Sequence, residues 1–145
     1  MALIQYFNQD LSFKLPKPKN TSLWIEGVIA KEKKKLIQLN YVFCSDDHLL
    51  GINQEYLKHQ TLTDIITFDN SDGDGRRIEG DIFISIERVR ENARTLKTDF
   101  DEELHRVLLH GVLHLIGYSD KSDIEKTQMR KKEDAYLSLR KGSST

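Results

Sequence analysis

The sequence predicts an α/β domain of the α+β type, in which a small mixed four-stranded sheet packs against helices. Three observations predict this class. Apolar stretches typical of strands alternate with helical stretches in the first half of the chain, whereas the second half contains helical patterns in succession. The chain has 145 residues, of which 38% are hydrophobic and 2 are prolines, so it can bury a core without disulfides. We therefore expect residues 1–145 to form a single domain.

The chain is predicted to begin with a strand and a helix. Residues 2–7 are short and rich in apolar side chains, as a first strand requires. Asn20 or Thr21 could then cap a helix that runs through Ala30. The lysine run at residues 31–35 would complement the dipole at the end of this helix.

A second strand and a second helix follow. Residues 36–44 alternate and are rich in Leu, Val, Tyr and Phe, which favours a strand. Ser45 or Asp46 is suited to cap a helix that runs to about Lys58.

The rest of the chain is predicted to form a strand pair and three helices. Residues 63–68 and 81–85 are β-branched and aromatic, and the Gly/Asp-rich segment 69–80 separates them, which predicts two paired strands around a long loop. The three predicted helices are residues 87–97, 101–116 and 123–139.

Cysteine count, charge and hydropathy limit the function classes. The single cysteine, Cys44, cannot form an internal disulfide and lies in an apolar stretch, so we expect a buried thiol and a cytoplasmic protein. Lys and Arg number 22 against 23 Asp and Glu, for a net charge of −1, which excludes a generally basic surface for nucleic acid. Apolar runs fall short of the roughly 18 residues that a membrane span requires.

The most informative stretch is HGVLHLIGYSD, residues 110–120. At about 3.6 residues per turn, His110 and His114 lie roughly 40° apart on one helix face, so both imidazoles can bind one ion. Gly117 permits the helix to end in a left-handed conformation, and the reversal can bring Asp120 back as a third ligand. Three protein ligands leave one position of a zinc ion for water, which is typical of a catalytic site.

The same spacing is that of the long zinc motif of metzincin proteases, with Asp in place of their third His. The protease motif also requires a Glu directly after the first His, as the general base. This chain has Gly111 at that position, so peptide hydrolysis lacks its base.

Residues 110–120 also resemble the H-G-x-L-H-L-x-G-Y-D-H signature of the YbeY family of metal-dependent endoribonucleases. Asn53 and Tyr56, followed by LTDIITF at residues 62–68, are similar to the family's N-x-x-Y-R and P-T-D-V-L-S-F segments. GDIFIS at residues 80–85 matches its G-D-I-x-I-S strand. These segments occur in the family's order and cover the middle and C-terminal two-thirds of the chain.

The resemblance implies a zincin-like domain that cuts single-stranded RNA. It implies one zinc ion per chain, with a catalytic metal-bound water held at His110, His114 and Asp120. It further implies ribosomal RNA processing at the 3′ end of the small-subunit RNA, and ribosome quality control. The expected partners are single-stranded RNA and the small ribosomal subunit, without DNA and without a membrane.

Three positions depart from the family's motifs. Asp120 stands where the signature ends in His, and Ser119 stands where Asp is usual. A one-residue gap would align the family's Asp with Asp120 and leave no third ligand; we prefer the alignment without a gap. Leu57 stands where many relatives have an Arg thought to hold phosphate, so that contact is unassigned.

Other residues near the motif have alternative interpretations. His105 lies roughly 140° around the helix from His110, so it cannot bind the same ion, and we expect it at the surface or in packing. Glu103 could orient a ligand imidazole, or it could be a plain carboxylate of the first helical turn. Candidate RNA contacts are Tyr118, by base stacking, and Arg76, Arg77 and Lys121, with the backbone.

Two other functions remain open at the level of sequence. One is a zinc metallohydrolase that acts on peptides or another substrate class. The other is a non-enzymatic ribosome assembly factor in which a metal ion only ties the helix to the turn that follows it.

Overall fold

Four strands form one mixed sheet in this computed structural model, which describes residues 2–56, 63–72 and 75–143. The strands are β1 (Ile4–Asn8), β2 (Lys35–Cys44), β3 (Ile65–Asp69) and β4 (Arg77–Ser85). The helices are α1 (Pro18–Lys31), α2 (Asp46–Tyr56), α3 (Ile86–Leu96), α4 (Phe100–Ile116) and α5 (Asp123–Ser143). The predicted fold class is therefore confirmed.

The strand order is β1-β2-β4-β3, with β1, β2 and β4 parallel and β3 antiparallel to β4. Parallel neighbours need a crossover connection, which α1 supplies between β1 and β2. β3 and β4 are the strand pair that the sequence predicted. β3 lies at an edge of the sheet, next to α4.

Helix α4 is the centre of the main core, because it packs against one face of the sheet. Alternate residues of β2 and β4 point toward it and are fully buried, among them Leu39, Tyr41 and Ile82. The hydroxyl of Tyr41 donates to the carbonyl of Leu108 on α4 at 2.8 Å, which satisfies a buried polar group and fixes the helix on the sheet.

A smaller cluster forms on the opposite face, where α2 contacts β3 and β4. Cys44, Leu49 and Ile66 are its buried members. Burial, with the nearby carboxylates of Asp10 and Asp46, raises the pKa of the Cys44 thiol to about 12. The predicted buried thiol is confirmed.

Some element boundaries differ from the predicted ones. The predicted cap of α1 at Asn20 or Thr21 is wrong: the helix begins at Pro18, whose fixed φ suits the first helical position, and Lys17 is its N-cap. β4 begins at Arg77, before the predicted 81, because its first residues pair with β2 from Lys35 onward.

Among the described residues, the structure contains no helix with both the length and the apolar composition needed to cross a membrane.

Candidate metal centre

The two histidines of the motif lie in the last two turns of α4. Asp101 and its two acidic neighbours occupy the first turn of this helix, where negative charge is favourable. At the other end, Gly117 has a φ of +125°, and its N–H donates to the carbonyls of Leu113 and His114 at 3.1 and 3.0 Å. Glycine adopts this backbone conformation without strain, so the helix stops here and the chain turns back.

The turn brings Asp120 beside both histidines. The Nε2 atoms of His110 and His114 are 2.9 Å apart, and the Oδ2 atom of Asp120 lies 3.3 and 3.6 Å from them. In a tetrahedral zinc site with bonds of about 2.0–2.1 Å, ligand atoms are separated by about 3.3 Å. Two imidazole nitrogens and one carboxylate oxygen at these separations fit a zinc ion, so the three predicted residues form a candidate metal centre.

The environment favours the neutral form of His114. Burial lowers the pKa of His114, as does the adjacent His110, while Asp120 and the backbone of Tyr118 oppose the shift. Neutral imidazole is the form that binds metal, because protonation removes the lone pair. All three residues of the cluster are partly exposed, so a substrate can reach them.

A fourth residue of the centre, Glu133 on α5, was missed by sequence analysis. Its Oε2 accepts a hydrogen bond from Nδ1 of His110 at 2.6 Å, and the residue is only 2% exposed. Burial alone would raise the pKa of Glu133, but the hydrogen bond from His110 and the charges of His110 and Arg106 hold it below its ordinary value. No local motif signals this contact, because 23 residues separate the two partners.

The sequence left two interpretations of Glu103, a residue that orients a ligand imidazole or a plain carboxylate of the first helical turn. In the structure its carboxylate contacts Arg106 and not a histidine of the cluster. The guanidinium Nε of Arg106 donates to Glu103 at 2.9 Å, and its Nη1 donates to Glu133 at 3.2 Å. The chain of contacts therefore runs from Glu103 through Arg106 and Glu133 to His110.

Asp64, directly before β3, is a partly buried carboxyl that interacts electrostatically with His110 and Arg106. Burial raises the pKa of this carboxyl, and the positive charges of His110 and Arg106 partly offset the effect. Its Oδ2 accepts from the side-chain amide of Asn92 at 3.2 Å.

The loop between His114 and Asp120 is tied to α1 and α5 through Tyr118. The hydroxyl of Tyr118 donates to Oε1 of Glu32 at 2.7 Å, and Tyr136 and Lys132 bind the other oxygen of that carboxylate. The ammonium of Lys132 lies 5.6 Å from the centroid of the Tyr118 ring. We call these four residues the Glu32 cluster; they restrain the loop that positions Asp120.

His105 lies outside the metal centre, as its angle on the helix predicted. It is 1% exposed, its Nε2 bonds to the hydroxyl of Thr21 at 3.0 Å, and its Nδ1 bonds to the carbonyl of Asp101 at 2.8 Å. Of the two positions expected for His105, at the surface or in packing, the structure shows the second.

Of the predicted RNA contacts, Arg77 forms an ion pair of 3.6 Å with Asp72 in the loop before β4. Leu57 lies outside the described residues, so its departure from the family signature has no structural account.

Gly111, between the two histidines, packs directly against the sheet. A Cβ atom at this position would lie 2.9 Å from Cδ1 of Ile82 and 3.0 Å from Cδ1 of Ile65. Even a methyl group would force a shift, so the glutamate of a zinc protease does not fit here.

Comparisons with known proteins find one family over almost the whole chain. A family model described as endoribonuclease YbeY matches residues 5–140, a range that includes the whole cluster. The endoribonuclease YbeY of Amoebophilus asiaticus is 52% identical over 136 residues, which cover 94% of this chain and 92% of that relative. The corresponding protein of Cytophaga hutchinsonii is 51% identical over 138 residues, covering 95% of this chain and 96% of that relative. The solution structure of TM1509 from Thermotoga maritima matches with a TM-score of 0.68 at 27% identity, covering 97% of this chain and 90% of the other.

Proposed function

The chain belongs to the YbeY endoribonuclease family, and on that basis we propose that it is a zinc-dependent endoribonuclease specific for single-stranded RNA. We assign it to ribosomal RNA processing at the 3′ end of the small-subunit RNA and to ribosome quality control, in the cytoplasm and as one domain over residues 1–145. The observation that supports this function most directly is the convergence of His110, His114 and Asp120 at zinc-ligand separations within the family signature.

In this proposal His110, His114 and Asp120 hold one zinc ion. When bound, the ion supplies an activated water and polarises a phosphoryl oxygen. The protein positions the three ligand atoms, keeps His114 neutral through burial, and leaves the side of the cluster away from the core open to RNA.

The phosphate contacts require cations near the cluster, because the net charge of the chain is −1. Arg130 on α5 has 56% of its side chain exposed and lies 3.9 Å from Glu133, on the wall of the site formed by α5. Lys121 directly follows Asp120 and is exposed. Both are suited to contact the RNA backbone beside the zinc ion.

A peptidase is disfavoured by packing as well as by sequence. The position after the first histidine faces Ile65 and Ile82 and has no room for a general base. The surface of the cluster instead offers a hard carboxylate ligand and neighbouring cations, which suit a phosphodiester.

The test is cleavage of a single-stranded ribosomal RNA 3′-end fragment by the purified protein. We expect cleavage that a chelator abolishes and zinc restores, with no cleavage of the same sequence in a duplex or of casein. His114→Ala should be inactive, and raising the salt concentration should weaken binding of the RNA.

Peptide cleavage without RNA cleavage would overturn the proposal in favour of the metallohydrolase. Zinc binding with neither activity would favour an assembly factor with a structural metal.

A further inference from the structure

We propose that Glu133 is a positioning residue for the metal centre, which fixes the ring orientation and the tautomer of His110. This inference rests on the proposed function only for the identity of the metal. Its structural basis is the 2.6 Å hydrogen bond between Oε2 of Glu133 and Nδ1 of His110. A carboxylate can only accept this bond, so the proton is on Nδ1 and the lone pair of Nε2 is free for a metal ion.

The hydrogen bond directs Nε2 toward the remaining ligands. The Nε2 of His110 lies 3.3 Å from Asp120 and 2.9 Å from the Nε2 of His114, on the ring edge opposite Glu133. A histidine whose second nitrogen is held by a carboxylate is pre-oriented and more basic toward the metal. Glu133 thereby contributes to metal affinity without contacting the ion.

Arg106 holds the carboxylate of Glu133 in place from the side opposite His110. Glu133 and Glu103 are each 2% exposed, and the guanidinium of Arg106 lies between them. Nη1 of Arg106 donates to Oε1 of Glu133, which leaves Oε2 to accept the hydrogen bond from His110. The ion pair with Arg106 therefore supports the role of Glu133.

The location of Glu133 makes the metal centre depend on the last helix. α5 packs on the core through Met129, Tyr136 and Leu137, so its position relative to α4 is set by apolar burial. Glu133 lies between these anchors and points at His110. Docking of α5 thus determines where the ring of His110 is held.

The chain offers a matched control in Glu103, which is buried to the same extent and pairs with the same Arg106. Glu103→Met and Glu133→Met each leave Arg106 with one carboxylate, so both should lower stability. Only Glu133→Met removes the hydrogen bond to His110. Glu133→Gln retains an acceptor oxygen without the charge.

Zinc affinity would be measured by competition with a chromogenic chelator, together with the melting temperature of each metal-free protein. We expect Glu133→Met to raise the zinc dissociation constant about 10–100-fold and Glu133→Gln to recover part of that loss. Glu103→Met should change the constant by less than about threefold. In metal-free wild type at pH 8, long-range ¹H–¹⁵N NMR should show the proton of His110 on Nδ1.

Equal zinc affinity in Glu133→Met and Glu103→Met would overturn the inference, as would a proton on Nε2 of His110 in the metal-free wild type. The NMR measurement needs no variant, so it decides the question even if Glu133→Met fails to fold. Failure of the wild type to bind zinc would contradict the proposed function instead, and the tautomer measurement separates the two cases.

Discussion

At the scale of single residues, Asp120 would set the charge of the candidate metal centre. Two neutral imidazoles and one carboxylate would leave a divalent ion with one net positive charge, whereas three imidazoles would leave two. A carboxylate oxygen is also a harder ligand than imidazole, so the site should discriminate less strongly in favour of zinc. Exchange of this one residue therefore tests both the ligand set and the alignment without a gap.

We expect Asp120→His to bind zinc at least as tightly as wild type, because the Gly117 turn already presents this position to the two histidines. Asp120→Asn should bind zinc more weakly, since an uncharged amide oxygen is a poorer ligand. Zinc dissociation constants would be compared by chelator competition. If Asp120→Ala binds zinc as wild type does, the third ligand lies elsewhere.

His110→Ala and His114→Ala should each abolish tight zinc binding, because each removes one of the three convergent ligand atoms. His105→Ala should retain zinc, because one ring nitrogen of His105 bonds to the hydroxyl of Thr21 and the other to the carbonyl of Asp101. It should instead lower the melting temperature. Metal content after gel filtration provides the comparison, and similar zinc loss in all three variants would contradict the geometry of α4.

The residues of the centre differ in how well the sequence predicts them. His110 and His114 are four positions apart on one helix, so local geometry predicts their convergence. Asp120 follows from the turn at Gly117. Glu133 could not be predicted, because its contact depends on how α5 docks on α4, a tertiary arrangement that no local pattern encodes.

At the scale of elements, one stretch of α4 combines close packing on the sheet with the two histidines of the motif. It packs closely on the sheet through Gly111, and the histidines on either side of that glycine belong to the candidate metal centre. The periodicity of apolar residues predicted which segments form helices and which form strands, because each pattern is local. The early start of β4 did not, because pairing with Lys35 and its neighbours extends the strand into a polar segment.

Gly111→Ala should lower the free energy of unfolding by about 1–3 kcal/mol, because its methyl group would overlap Ile82 and Ile65. The control is Gly27→Ala in α1, where a Cβ meets nothing within 4 Å. That substitution should stabilise the protein by about 0.5–1 kcal/mol, the helix preference of Ala over Gly. Urea denaturation gives both values, and an equal gain in the two variants would refute the close packing of α4.

At the scale of the whole molecule, one carboxylate of the Glu32 cluster joins α1, α5 and the loop between His114 and Asp120. The side chain of Glu32 is 11% exposed. Burial would raise the pKa of Glu32, but hydrogen bonds from Tyr136, Tyr118 and Lys132 outweigh it and hold the pKa below its ordinary value. A carboxyl with a lowered folded pKa contributes stability above its unfolded pKa of about 4.3, and this contribution is lost as pH falls through the folded value.

Glu32→Gln should therefore lose about 1–3 kcal/mol of unfolding free energy at pH 7, from weakened charged hydrogen bonds. The difference from wild type should shrink as the pH falls below the unfolded pKa and wild-type Glu32 is protonated. Glu26→Gln, at an exposed carboxylate of α1, is the control and should differ little from wild type at any pH. A difference between Glu32→Gln and wild type that stays constant with pH would argue against this electrostatic role.

Zinc should stabilise the whole fold, because the candidate ligands belong to α4 and its following loop while α5 and α1 hold both in place. A ligand that binds only the native state at 100 times its dissociation constant adds about 2.7 kcal/mol. For a chain of this length, that corresponds to a rise in melting temperature of roughly 5–10 °C.

Thermal unfolding with and without zinc measures the shift in melting temperature. It should be lost in His114→Ala and should shrink as the pH falls, because protons compete with zinc for the ligand atoms. Magnesium should give a much smaller shift, because imidazole is a poor ligand for it. An undiminished zinc shift in His114→Ala would show that zinc stabilises the protein from another site.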